Sequence, residues 1–262
     1  MKVAILGAGN VASHMARALS GVGHDVALWN RSEAALVPLR VELNVSCTTD
    51  LAALPSDADV YLISVKDDAV AAVAQQLAEV GCTAAVYAHT AGSLPKSLLE
   101  PYFKHSGVLY PMQTFSKGKA LDYSKIPFFV EEENNILHEL ALTISERVYT
   151  LSSEQRKVLH TASVFACNFA NHCCTIASEL LRDIGVPFSA LLPLVDETVA
   201  KLSVLPPNEA QTGPAIREDY GVIDAQISLL DAYPDWREIY TRLTSSIITH
   251  KHNHDRLRPK EN

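Results

Sequence analysis

Apolar residues in the first half of the chain follow two alternating rhythms. Short, nearly continuous runs rich in valine, isoleucine and leucine at 3–6, 25–30, 59–65 and 83–88 predict strands buried on both faces. Between them, 10–20 and 67–80 place apolar side chains three and four positions apart, the spacing of helices that cover a sheet. Further strands are predicted at 107–110, 126–131 and 147–151, with a helix over 134–146 and a short one at 94–101. Strands alternating with helices predict an α/β fold with a doubly wound, mostly parallel sheet.

Past residue 152 the pattern changes. Residues 154–182 are rich in apolar positions and contain neither proline nor glycine, which predicts one helix of about 29 residues, roughly 43 Å at 1.5 Å per residue. Gly185-Val186-Pro187 stops it. More helices are expected at 189–204, 222–232 and 236–250, a proline-rich loop at 205–214, and a frayed polar tail from 251. The tail carries His250, His252 and His254 at alternate positions, read as part of that tail and not as metal ligands. The expected organisation is therefore a strand-and-helix domain over 1–152 and an all-helical domain over 153–262. Phe165, Cys167, Phe169, Cys173 and Cys174 give the long helix more apolar surface than one stripe can bury, so a homodimer through the helical domain is expected.

Charge narrows the partners. A net charge of −8 leaves no basic surplus for nucleic acid, so any anionic ligand must be held by a local site. The first apolar run is too short for a secretion signal or a membrane span, and a cytoplasmic location is expected. Five scattered cysteines lack the paired spacing of a zinc or redox site and are read as reduced.

Gly7-Ala8-Gly9-Asn10-Val11-Ala12 fits G-x-G-x-x-A and stands directly between a predicted strand and a predicted helix. In that setting Gly7 permits the tight turn, Gly9 lets backbone approach a pyrophosphate, and Ala12 lets the helix pack close, with free helix N–H groups facing the anion. At the end of the second strand, where NAD sites place a carboxylate on the ribose, the chain reads Asn30-Arg31-Ser32. A guanidinium can hold a 2′-phosphate that a carboxylate would repel, so NADP(H) is the expected cofactor. Other strand ends contribute Ser64-Val65-Lys66, His89-Thr90-Ala91-Gly92-Ser93 and Tyr110-Pro111-Met112-Gln113-Thr114-Phe115. On the long helix His160, Val164 and Asn168 are spaced by four, a spacing that keeps one face.

Together with residues 212–219, these blocks resemble the superfamily of 6-phosphogluconate dehydrogenase, 3-hydroxyisobutyrate dehydrogenase and pyrroline-5-carboxylate reductase. They are most similar to its branch of deazaflavin-dependent-reductase-like NADP oxidoreductases. The resemblance implies an N-terminal Rossmann domain, a helical domain like the C-terminal domain of 6-phosphogluconate dehydrogenase, and dimers. That branch has histidine where this chain has Tyr110. The Lys-Asn pair of the hydroxy-acid dehydrogenases is not here either, since four residues beyond Lys157 stands Thr161, and their mechanism does not transfer.

The expected activity is hydride transfer between NADP(H) and a small polar carbonyl or imine compound, anionic in part. His160 is the expected general acid or base, with His89 in reserve, and Asn168 orients the substrate. Arg217, Ser93 and Gln113 are the expected substrate contacts. Gly7, Gly9, Asn10, Val11, Ala12, Asn30, Arg31, Ser32, Ser64, Val65, Lys66 and Thr90 are expected around the cofactor. Two rivals stand beside this expectation: a non-catalytic NADP sensor or scaffold, and a reductase linked to a deazaflavin or flavin.

Overall fold

The computed structural model describes residues 1–116 and 118–257. It divides into two compact units, Met1–Ala166 and Cys167–Asn262.

The first unit is an eight-stranded sheet of order β3-β2-β1-β4-β5-β6-β7-β8. The strands are β1 (Lys2–Leu6), β2 (Asp25–Trp29), β3 (Ser46–Thr48), β4 (Val60–Ile63), β5 (Val86–His89), β6 (Ser106–Pro111), β7 (Phe128–Glu131) and β8 (Val148–Thr150). All neighbours pair parallel except β6 and β7. Alternation along β1 sorts its side chains cleanly. Val3 and Ile5 join one core with Met15, Leu19 and Leu28, while Ala4 and Leu6 join another with Tyr61, Ile63 and Leu77. This double burial explains why the strands read as continuous apolar runs. The order reverses between β1 and β4, which opens a crevice at the carboxyl ends of the strands.

Helices α1 (Asn10–Gly21), α2 (Glu33–Leu43), α3 (Val70–Val80) and α4 (Ile136–Leu142) flank this sheet. The apolar rhythm does not announce α2, whose Pro38 lies inside it and removes one backbone donor. Nor does it announce β3, which is three residues long. The expected helix at 94–101 is only a 3-10 turn, Lys96–Leu98.

The long helix also differs from expectation. It is α5 (Ser153–Ser163), a π-helical stretch at Val164–Phe169, and α6 (Ala170–Asp183). Ser152 and Gln155 form a reciprocal capping box at its start. The π-helical stretch carries Val164 and Asn168, while His160 stands on the α-helical turn before it. α5 places His160 in the first unit and the stretch after Ala166 begins the second.

The second unit contains α6, α7 (Leu192–Lys201), the short α8 (Pro207–Ala210) and α9 (Pro214–Arg217), α10 (Tyr220–Leu229) and α11 (Pro234–Leu257). The tail expected to fray at 251 is helical to Leu257, and His252 Nε2 lies 3.0 Å from Glu218 Oε1, which also accepts from Lys251 at 2.6 Å. The side chain of His254 and residues 258–262 lie outside the described residues. Among the described residues no helix is long and apolar enough to cross a membrane.

Candidate active site

The turn after β1 is shaped by what its glycines lack. Gly7 has φ +129°, and a Cβ there would collide with the carbonyl oxygen of Ser64 at the end of β4. Two strand ends thus approach as only glycine allows. A Cβ on Gly9 would instead enter open space, on the side where an anion can meet the N-terminus of α1. Gly9 is the N-cap of α1 and offers no side-chain acceptor, so the first N–H groups of the helix are not capped by it.

A cavity of about 780 Å³ opens from this turn. Among its lining residues are Gly7, Gly9, Asn10, Val11, Asn30, Arg31, Ser64, Val65, Lys66, Thr90, Gly92 and His160. The glycine turn, the helix N-terminus, two cations and a cavity of this volume are features that a nicotinamide dinucleotide site uses, so the residues fit such a cofactor. Arg31 is exposed and makes no ion pair among the described residues. Asn30 spends its side-chain amide on Ser32 O at 3.1 Å, while the Ser32 hydroxyl does not cap α2. Asn10 is likewise committed, donating to Phe115 O at 3.0 Å and tying the segment after β6 to the glycine turn.

Several expected residues lie outside the lining. Ala12 is buried in the core beneath the turn, as its packing role requires. Ser93 donates to Asp67 Oδ2, and Gln113 Oε1 accepts from Thr114 N at 2.8 Å. His89 is fully buried. Its Nδ1 accepts from Ala91 N at 3.2 Å, which leaves Nε2 to donate to Pro95 O at 3.3 Å. Burial pushes its pKa down to about 4, with the nearby Arg156 charge acting in the same direction. The imidazole expected in reserve for acid–base work lies outside the cavity lining, where both ring nitrogens contact the backbone of the 89–95 loop. No spacing rule reveals that burial.

His160 is half-buried and reaches the cavity from α5. Its Nδ1 lies 3.2 Å from Tyr110 Oη, and the rings meet edge to face at 6.0 Å and 76°. Gly92 sits against both: a Cβ there would come within 2.7 Å of His160 Nδ1 and 2.9 Å of Tyr110 Cζ. Sequence reasoning passed over Tyr110 as a site residue, although its position at a strand end was the available signal.

One helical turn before His160, Arg156 is 1% exposed. Its guanidinium donates to Glu131 Oε2 at 2.5 Å, to Leu94 O, and to Ser153 Oγ at 3.3 Å, while Nε has no partner. Ser153 Oγ in turn donates to Glu131 at 2.7 Å and accepts from Lys96 N at 3.0 Å. This network pins α5 to β7 and to the loop that carries Gly92.

In the second unit Asn168 is exposed within the π-helical stretch, and Arg217 is exposed at the end of α9. Among the described residues Arg217 pairs with neither Asp219 nor Asp224; Asp219 instead caps α10.

Residues 2–83 match the family described as NADP oxidoreductase, coenzyme F420-dependent, and residues 126–247 match a domain of unknown function, DUF2520. A solved protein of Bacteroides fragilis, provisionally assigned as an NADP oxidoreductase, is 41% identical and superposes with a TM-score of 0.87. The match covers 95% of this chain and 98% of that one. The chain belongs to this NADP oxidoreductase family. The imine reductase of Myxococcus stipitatus, solved with NADP+, shares the fold of the oxidoreductase at 14% identity and a TM-score of 0.67, over 98% of this chain and 94% of that one. A glycerol-3-phosphate dehydrogenase [NAD(P)+] of Limosilactobacillus reuteri is 35% identical over 89 residues; the match takes in 29% of this chain and 26% of that enzyme's length. The oxidoreductase therefore carries a Rossmann-like, nicotinamide-dinucleotide-binding sheet followed by a helical region.

Proposed function

We propose that the oxidoreductase moves a hydride between NADP(H) and a small polar carbonyl or imine compound, with His160 exchanging the accompanying proton. The observation that carries this reading is the single cavity wall shared by the glycine turn, Arg31 and the His160 ring. When bound, the nicotinamide supplies or accepts the hydride. The Gly9 backbone and the N-terminus of α1 hold the pyrophosphate, and Arg31, helped by Lys66 and Ser32, holds the 2′-phosphate and selects NADP over NAD. Thr90, whose hydroxyl donates to Ser64 Oγ at 3.0 Å, fixes the loop wall beside His160. A second copy of the chain covers the helical unit, supported by the apolar side chains that unit exposes.

The test follows NADPH and NADH consumption against a panel of cyclic imines and small polar ketones, with wild type and His160→Gln side by side. Turnover with NADPH is expected for wild type, with kcat reduced about 100-fold or more in the variant at unchanged NADPH affinity. Equal turnover by the variant removes His160 from the chemistry. Equal use of NADH removes the argument from Arg31. A visible chromophore that copurifies and must be present for turnover would favour the deazaflavin-linked alternative, which the family matched on 2–83 keeps open.

A further inference from the structure

Which ring nitrogen of a histidine carries the exchangeable proton is set by the hydrogen bond that the other nitrogen makes. In this chain Nδ1 of His160 is 3.2 Å from the Tyr110 hydroxyl, whereas Nε2 makes no hydrogen bond among the described residues. Helix α5 is anchored in this position by Arg156, on the same helix face one turn earlier, which is tied to Glu131 and Leu94. Gly92 closes the third side, since any side chain at that position would intrude between the two rings.

We propose that Tyr110 is the positioning residue of His160: its hydroxyl oxygen accepts the Nδ1–H proton and leaves Nε2 as the only ring atom that exchanges a proton with substrate. A phenol has one donor and two acceptor lone pairs, so accepting from Nδ1 leaves its own proton for another partner. In the imidazolium both nitrogens carry hydrogen. When Nε2 gives its proton to the oxygen or nitrogen that has gained an electron pair from hydride addition, the ring becomes the neutral Nδ1–H form. Tyr110 keeps the same contact throughout, and Nε2 is ready to be reprotonated from solvent. The bond broken is Nε2–H and the bond formed is the product O–H or N–H.

This inference rests on His160 as the proton-exchanging group, yet it can be tested on the free protein. Uniformly 15N-histidine-labelled wild type, Tyr110→Phe and His160→Gln are compared by ring nitrogen–proton correlation at a pH where the imidazole is neutral, the last variant assigning the His160 signals by their loss. Wild type is expected in the Nδ1–H form. Tyr110→Phe, which keeps the ring packing against Phe129, is expected to move His160 into a mixture of both forms without a change in melting temperature. With a cyclic imine such as 1-pyrroline and NADPH, the same variant is expected to lose roughly tenfold or more in kcat at unchanged KM. An Nε2–H form in wild type, or an unchanged tautomer in Tyr110→Phe, overturns the inference even if His160→Gln proves inactive. An active His160→Gln with a tautomer that responds to Tyr110 overturns instead the acid–base reading on which it rests.

Discussion

The two units meet the problem of burial in opposite ways. In Met1–Ala166 the sheet is covered on both faces, and β1, β4 and the helices around them supply two apolar cores whose members are almost wholly withdrawn from water. From Cys167 onward the buried apolar residues among those described are Ala215, Ile223 and Leu230 alone, while Leu194 is 65% exposed and Leu229 78%. Burying one leucine contributes about 1.5–3 kcal/mol, and helices draw most of their stability from such packing. The first unit therefore has its cohesion within one chain. Among the described residues the second unit has the helices with few buried apolar side chains between them.

The contrast can be sharpened first inside the well-packed unit, at the deeply buried charge of Arg156. Arg156 is 1% exposed and its partner Glu131 19%, so Arg156→Ala leaves a largely desolvated carboxylate without its counter-charge and is expected to cost up to about 3–5 kcal/mol in chemical denaturation. Replacing both, as Arg156→Met with Glu131→Leu, is expected to recover most of that loss, because no unpaired charge remains. A single variant as stable as wild type would mean that the network positions α5 without stabilising the sheet.

Next in size is a pH effect confined to the same unit. The folded pKa of His89 is lowered to about 4 from an ordinary 6.5 by burial. Above pH 6.5 the ring is neutral folded or unfolded, and the stability is fully present. As pH falls from 6.5 towards 4 only the unfolded chain takes up the proton, so stability falls by on the order of 3 kcal/mol. Melting curves at neutral pH and near pH 4 should show that loss for wild type, and His89→Gln should show less of it. An identical pH slope in both proteins would place the titrating group elsewhere.

Legibility in the sequence followed the same division. Strands buried on both faces are continuous apolar runs, and the glycine turn stands between the strand before it and the helix after it, so the Rossmann half and the turn that lines the cavity could be read directly. Pro38 hid α2, since a proline in mid-pattern argues against a helix that tertiary packing nevertheless holds. Arg156 looks like a surface residue among Glu154, Gln155 and Lys157, and only the sheet register brings Glu131 against it. One signal was available: 153, 156 and 160 share a helix face, and that face is the one turned inward. The π turn at 164–169 was not legible, because it is a choice of backbone hydrogen bonding that side-chain spacing does not encode. In the helical unit, apolar positions around most of each helix signalled excess surface without saying which of it is covered.

The smallest effects decide that last point. In a chain that stands alone, Leu194→Ala and Leu229→Ala remove side chains already in water and should change stability by less than about 0.5 kcal/mol, as Val41→Ala should in the first unit, where Val41 is 81% exposed. If a second copy covers the helical unit, each leucine substitution costs about 1–2 kcal/mol per subunit while Val41→Ala remains silent. The melting temperature of wild type then rises with protein concentration, because association stabilises only the folded chain. Light scattering across the same concentrations should give twice the chain mass for wild type and a shift towards single chains for the leucine variants. A wild type that is monomeric and melts at one temperature regardless of concentration would remove the second copy, and the exposed leucines would then behave like Val41.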